Sequence, residues 1–229
     1  MNSPEQPAKK TIRSFVRRQG RITHAQNLAL ERLWPIYGLD PQEPFDARRA
    51  FSRDAPLIVE IGFGNGESLA QMAAASPDKN FLGIEVHRPG IGHLLLKIRA
   101  LALDNVRVYC GDAVEMLQDK LEDGSLSGMQ IFFPDPWHKK RHHKRRLITP
   151  EFARLAVRKL KIGGIFHAAT DWEDYARQML QVLEACEGLS NTAGKGSFSA
   201  RPDHRPLTKF EARGRNLGHR VWDLIFVRD

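Results

Sequence analysis

The chain has 229 residues, 41% hydrophobic and 27% charged, which suits one domain with a full core and excludes wholesale disorder and a disulfide scaffold. No apolar run reaches the roughly 20 residues that span a bilayer. The N-terminus lacks the apolar core of a signal peptide, and Cys110 and Cys186 have no CxxC spacing, so a reducing, cytoplasmic setting without a membrane partner is expected. Thirty-five Lys and Arg against 27 Asp and Glu give a net charge of +8. That total fits either a polyanion partner, nucleic acid above all, or a basic surface that only aids solubility.

In chain order, residues 1–20 are polar and basic, from which a mobile segment is expected, and residues 9–21 (KKTIRSFVRRQGR) contain no acid. Residues 22–37 read as a helix broken near Pro35, and 39–56 as a linker. Strands are predicted at 57–61, 80–85, 106–109, 129–133, 165–169 and 220–227. Between them lie helices at 67–75, 89–103, after Asp112, from Thr149-Pro150 to a stop at Gly163-Gly164, and at 172–186. Residues 190–206 read as a polar connection. Strands alternating with helices imply βαβ units and a largely parallel sheet, whose ligands bind beyond the carboxyl ends of its strands.

The second basic cluster, residues 138–146 (HKKRHHKRR), holds six Lys or Arg, three His and no acid. Self-repulsion disfavours a helix there unless an anion is present. It follows directly on the apolar stretch Met129–Phe133, so it reads as a phosphate-contacting loop held by a strand. Crowded His138, His142 and His143 have no Cys beside them and are flanked by cations, so no metal site is expected.

Three strand ends carry candidate ligand groups. The first is Glu60-Ile-Gly62-Phe-Gly64-Asn-Gly66, whose glycines permit a sharp turn and close ligand approach. It departs from the dinucleotide fingerprint, because Glu67 stands where the third glycine belongs. With acids at positions 60 and 67, a cationic or zwitterionic ligand suits this turn better than a pyrophosphate. The second is Glu85, 23 residues after Gly62, which can accept both hydroxyls of a ribose. The third is Asp112, able to accept an adenine amine, to cap a helix, or both. Together they describe a nucleoside pocket without a phosphate site, which S-adenosylmethionine fits.

The turn, the second-strand acid and Gly111-Asp112-Ala113 resemble the class I methyltransferase pattern. Phe133-Pro-Asp-Pro-Trp-His-Lys-Lys-Arg-His143 resembles the signature of bacterial tRNA (guanine-N7)-methyltransferases. Arg13-Ser-Phe, Arg18 to Thr23, Thr208-Lys-Phe-Glu211, Arg213-Gly and Leu217-Gly-His are similar to that family's terminal motifs. The resemblance implies a Rossmann-like, seven-stranded, mostly parallel sheet flanked by helices. It also implies S-adenosylmethionine as donor, tRNA as partner, and guanosine 46 of the variable loop as target. It assigns Glu60, Gly62, Gly64, Gly66, Glu85, Asp112 and Asp135 to the donor. Lys139, Asp171, Thr208, Lys209, Phe210 and Glu211 go to the target guanosine, and Arg141, His142, His143, Lys144, Arg145 and Arg146 to RNA contact.

Guanine N7 has a lone pair and no proton, so its methylation needs alignment rather than a general base. Asp135 is the expected catalytic carboxylate, stabilising positive charge as it moves onto the purine. Glu211, with Asp171, suits the N1–H and N2–H donors of guanine. Asp171 reads equally as the cap of the following helix, and Trp137 as a base-stacking or a packing residue. Competing readings are a nicotinamide-dependent oxidoreductase, a methyltransferase for an exocyclic amine, and a non-enzymatic RNA-binding protein. The expected organisation is an N-terminal extension with one helix (1–45) and a methyltransferase domain (46–229), as a monomer or homodimer.

Overall fold

The structure, a computed structural model, describes residues 20–207, 211 and 220–229. Residues 1–19, Thr208, Lys209, Phe210, Arg213 and the Leu217-Gly-His motif lie outside the described residues. One sheet organises the chain. Its strands are β1 (Leu57–Ile61), β2 (Asn80–Glu85), β3 (Val106–Cys110), β4 (Leu126–Phe132), β5 (Leu160–Thr170), β6 (Leu189–Asn191) and β7 (Trp222–Arg228). Their order is β3-β2-β1-β4-β5-β7-β6. β1 to β5 pair in parallel, and β7 runs antiparallel between β5 and β6. The expected seven-stranded, mostly parallel α/β sheet is therefore present. The strand order reverses between β1 and β4, which opens a crevice at their carboxyl ends.

Helices cover both faces because the interior strands β1, β2 and β4 carry apolar side chains to both. α1 (His24–Tyr37), α3 (Glu67–Ala75) and α4 (Arg88–Ala100) bury Leu33, Leu69, Ile91, Leu94 and Ile98 against Phe81, Val106 and Val108. On the opposite face lie α2 (Ala47–Phe51), α5 (Ala113–Asp119), α6 (Pro150–Lys159) and α7 (Glu173–Glu184). Their Met116, Phe152, Tyr175 and Met179 pack on Val59, Ile61, Met129 and Phe166.

Several local expectations change. α1 runs through Pro35 to Tyr37 instead of breaking. Pro35 is exposed near the helix end, where solvent can satisfy the carbonyl its missing N–H leaves unpaired. The linker contains α2, capped by Asp46, which accepts from Arg49 N–H at 3.0 Å. β4 starts at Leu126, ahead of the expected 129. Gly163-Gly164 does not end α6; the helix stops at Lys159 and β5 begins at once. Gly163 has φ +75° and lies in a register shift, where Leu126 pairs with Leu160 but Gly128 with Ile165. The polar stretch from 190 begins within β6.

α1 meets α4 closely at Gly92. A Cβ there would stand 2.9 Å from both the Cβ and the carbonyl oxygen of Gln26. Replacing Gly92 with Val must push α1 outward. The expected loss is about 1–3 kcal/mol of stability, read as a lower urea midpoint. An unchanged midpoint would mean that α1 does not rest on this position.

Candidate active site

The first crossover is built from its glycines. Gly62, Gly64 and Gly66 have φ of +72°, +58° and +70°, the left-handed region that glycine enters without penalty. Beyond the chain neighbours, no described atom lies within 4 Å of where a Cβ would stand at Gly62 or Gly64, so the turn is open on that side. Gly66 is the N-cap of α3.

Glu60 sits one residue before the end of β1 and is 2% exposed. Its Oε2 has no hydrogen-bond partner among the described residues. Burial, reinforced by the neighbouring Glu85 carboxylate, pushes the Glu60 carboxyl up to about 8. A buried acid of this kind calls for a proton donor or a positive charge. Glu85 clamps the turn: Gly64 N–H donates to its Oε2 at 2.9 Å, and the N–H groups of Val86 and His87 donate to Oε1 at 2.7 and 3.0 Å. A carboxylate has about four lone-pair sites, so it can still accept from a ligand hydroxyl. Asp112 caps α5, accepting from Val114 N–H at 2.8 Å through Oδ1. Glu67 is paired with Lys97 at 3.0 Å.

Glu60, Glu85 and Asp112 thus stand at the carboxyl ends of three adjacent strands, with the open glycine turn beside them. The chemistry of this set, a buried acid and two further strand-end carboxylates, fits an adenosyl group with a cationic tail.

Beyond β4 the backbone turns abruptly. Phe133 (φ +52°) and Trp137 (φ +48°) adopt left-handed conformations on either side of Pro134-Asp135-Pro136. For bulky side chains this costs of order 1–3 kcal/mol each and persists only where the surroundings enforce it. Phe133 N–H is tied to Ala169 O at 2.8 Å, at the end of β5. The Asp135 side chain is exposed, and its Oδ1 accepts from Trp137 N–H at 3.0 Å, which fixes the carboxylate direction.

Arg146 holds the turn from beneath, and here the expectation of RNA contact is corrected. Arg146 is 3% exposed. Its Nε donates to Pro136 O at 2.9 Å, Nη1 to Gln178 Oε1 at 3.0 Å and Nη2 to Asp174 Oδ2 at 2.6 Å. Nη2 also reaches His143 Nε2 at 3.1 Å, and the guanidinium lies over the Tyr175 ring. A guanidinium spent on four protein partners does not meet a phosphate. The hydrogen bond and charge of Arg146 hold the Asp174 carboxyl below the usual carboxylate range. Burial pushes the Tyr175 hydroxyl up to about 12, so it stays protonated.

The rest of the basic run forms a short 3₁₀ helix, Lys140–Arg145, not the expected loop. Lys139 to Arg141 and Lys144 are exposed. Arg145 stands 5.0 Å over the Trp137 ring, and His142 meets that ring's edge at 5.9 Å. Partial desolvation and then the cations Arg141, Arg145, Lys139 and Lys144 lower the His142 pKa, which disfavours its protonated form.

Asp171 follows β5 but does not cap α7; the cap position is Trp172, whose N–H donates to Thr170 Oγ1 at 3.2 Å. Glu211 is buried, and both its carboxylate oxygens accept from Arg205, at 2.6 and 3.1 Å. Arg205 also donates to Asp223 at 2.7 and 2.9 Å, and Asp223 meets His167 Nε2 at 2.8 Å. Burial raises the Asp223 pKa, but these hydrogen bonds outweigh it and hold it below the usual range. Sequence reasoning missed this buried chain, since positions 167, 205 and 223 share no motif.

Arg146→Lys keeps the charge but cannot supply the fork of donors. The expected loss is about 1–3 kcal/mol in chemical denaturation, because one buried ammonium cannot reach all the part-buried acceptors that the guanidinium serves. A stability equal to wild type would show that the turn does not depend on Arg146.

Comparison with known proteins agrees with this geometry. A family model described as "Putative methyltransferase" matches residues 54–224. The tRNA (guanine-N(7)-)-methyltransferase of Methylococcus capsulatus is 61% identical, covering 96% of this chain and 95% of its own. That of Aeromonas hydrophila is 56% identical, covering 96% and 93%. Among solved structures, the 16S rRNA methyltransferase KamB shares the fold with a TM-score of 0.60 and 16% identity, covering 82% of this chain and 96% of that one. With more than half of its residues shared along nearly its whole length, this chain belongs to the tRNA (guanine-N7-)-methyltransferase family.

Proposed function

We propose that the protein transfers a methyl group from S-adenosylmethionine to N7 of a guanosine in tRNA, at position 46 of the variable loop. The observation that carries this reading is the strained turn after β4, which presents Asp135 beside the switch-point crevice where the donor acids gather. When bound, S-adenosylmethionine supplies an electrophilic methyl on a sulfonium. Glu60, Glu85, Asp112 and the glycine turn bind it and set its orientation. Because guanine N7 has no proton to lose, the chain's task is alignment and charge stabilisation. The Asp135 carboxylate, fixed by Trp137 N–H, faces positive charge as it develops on the purine.

Lys139, Asp171, Thr208, Lys209 and Phe210 are proposed to hold the target guanosine. Glu211 joins them only by sharing its carboxylate between guanine and Arg205. Arg141, His142, Lys144 and Arg145 are proposed to contact the RNA backbone, with His143 at the edge of that set. Residues 46–229 would form the methyltransferase domain, and residues 1–45 an extension whose helix completes one face of the core. The reading of tRNA as substrate supports a cytoplasmic location. Among the described residues no helix is long and apolar enough to cross a membrane.

The test is to incubate the protein with unmodified tRNA and S-adenosylmethionine, digest, and identify nucleosides by mass spectrometry. The expected product is 7-methylguanosine, mapped to the variable loop. A different methylated nucleoside would overturn the assignment of the target atom. Asp135→Ala is expected to keep the fold and lose about 100-fold or more in kcat. Near-normal turnover would remove Asp135 from the mechanism.

A further inference from the structure

We infer that Trp172 is the platform on which the target base stacks during transfer; this rests on the reading of the chain as a guanine-N7 methyltransferase acting on tRNA. β5 ends at Thr170, and the chain leaves through Asp171 to Trp172, the N-cap of α7. Thr170 is buried and its Oγ1 accepts from Trp172 N–H, so the backbone beneath the indole is fixed. Trp172 is 39% exposed, more than any other Phe, Tyr or Trp among the described residues. His138 meets it edge-on, with ring centres 4.2 Å apart at 68°.

His138 belongs to the turn that presents Asp135, three residues earlier. The ring is therefore held between the two strand ends that carry Asp135 and Asp171, at the carboxyl edge of the sheet. Leaving so large an apolar surface in water forgoes burial energy that folding could have used. Trp137 differs, since Arg145 already stands over its ring.

The chemistry gives such a platform a purpose. As the N7–CH₃ bond forms and the S–CH₃ bond breaks, the electron pair returns to sulfur and the purine becomes cationic, with no proton transferred. An indole face attracts a cation more strongly than a neutral ring. Stacking on Trp172 thus strengthens toward the transition state and raises kcat as well as affinity. RNA bases turned out of their stacks commonly find aromatic partners of this kind.

The test places 2-aminopurine in tRNA at the nucleotide found to be methylated, and adds saturating enzyme with S-adenosylhomocysteine. In the wild type, stacking keeps the probe dim. In Trp172→Leu it brightens, and Trp172→Phe restores most of the quenching. On natural tRNA, Trp172→Leu lowers kcat/KM about ten- to hundredfold, and Trp172→Phe only a few-fold. Both variants are expected to melt like the wild type and to bind S-adenosylhomocysteine normally. Equal brightness and turnover in wild type and Trp172→Leu would overturn the inference. So would a loss of melting temperature and S-adenosylhomocysteine binding in both variants, which marks a packing role. Failure of the wild type to form 7-methylguanosine would instead sink the functional reading beneath it.

Discussion

A buried carboxyl group, that of Glu60, sets the terms for the end of this sheet. Glu60 is carried by β1, an interior strand flanked by β2 and β4, with one oxygen unsatisfied among the described residues. Burial of an acid is tolerated because the group stays protonated, at the cost of a pKa near 8. The neighbouring features follow from keeping that place open. Three left-handed glycines carry the chain away from it, and Glu85 ties the turn back to β2 through Gly64 N–H while its other oxygen is held by the N–H groups of Val86 and His87. This arrangement supports the proposed donor, with positive charge near Glu60 and hydroxyls near Glu85.

The second half of the site depends on strain rather than burial. Phe133 and Trp137 adopt conformations that cost energy, and tertiary contacts must enforce them. The β5 backbone holds Phe133, and Arg146 holds the carbonyl of Pro136 while anchoring itself on α7. One member of a basic run is thereby withdrawn into the interior, while its neighbours stay at the surface. The division of labour within nine consecutive basic residues is set by what lies beneath them, not by their type.

Most of the architecture was legible because periodic apolar runs separated by glycine, proline and capping residues report burial directly. β1, β2, β3 and β7 lie close to where alternation and turns put them. The errors share a cause. Pro35 and Gly163-Gly164 read as terminators locally, yet helix packing and sheet pairing carried the elements past or around them. β6 is only three residues long and polar at two of them, so it exists through pairing with β7 and carries no signal of its own. At the site, the strand-end acids were legible because βαβ geometry brings strand ends together. The roles of Arg146, Arg205 and Trp172 were not, since each depends on contacts between distant segments.

The claim that the pocket is built around a buried acid awaiting positive charge has a direct test. Binding of S-adenosylmethionine is measured by calorimetry from about pH 6 to 9, in the wild type and in Glu60→Gln. Below the Glu60 pKa of about 8, a cation must displace the proton before it meets a carboxylate. Wild-type affinity should therefore rise, by up to about tenfold per pH unit, and level above that value, with a proton released on binding. Glu60→Gln should bind more weakly and lack this component. Identical pH profiles and equal proton release in the two proteins would contradict the account.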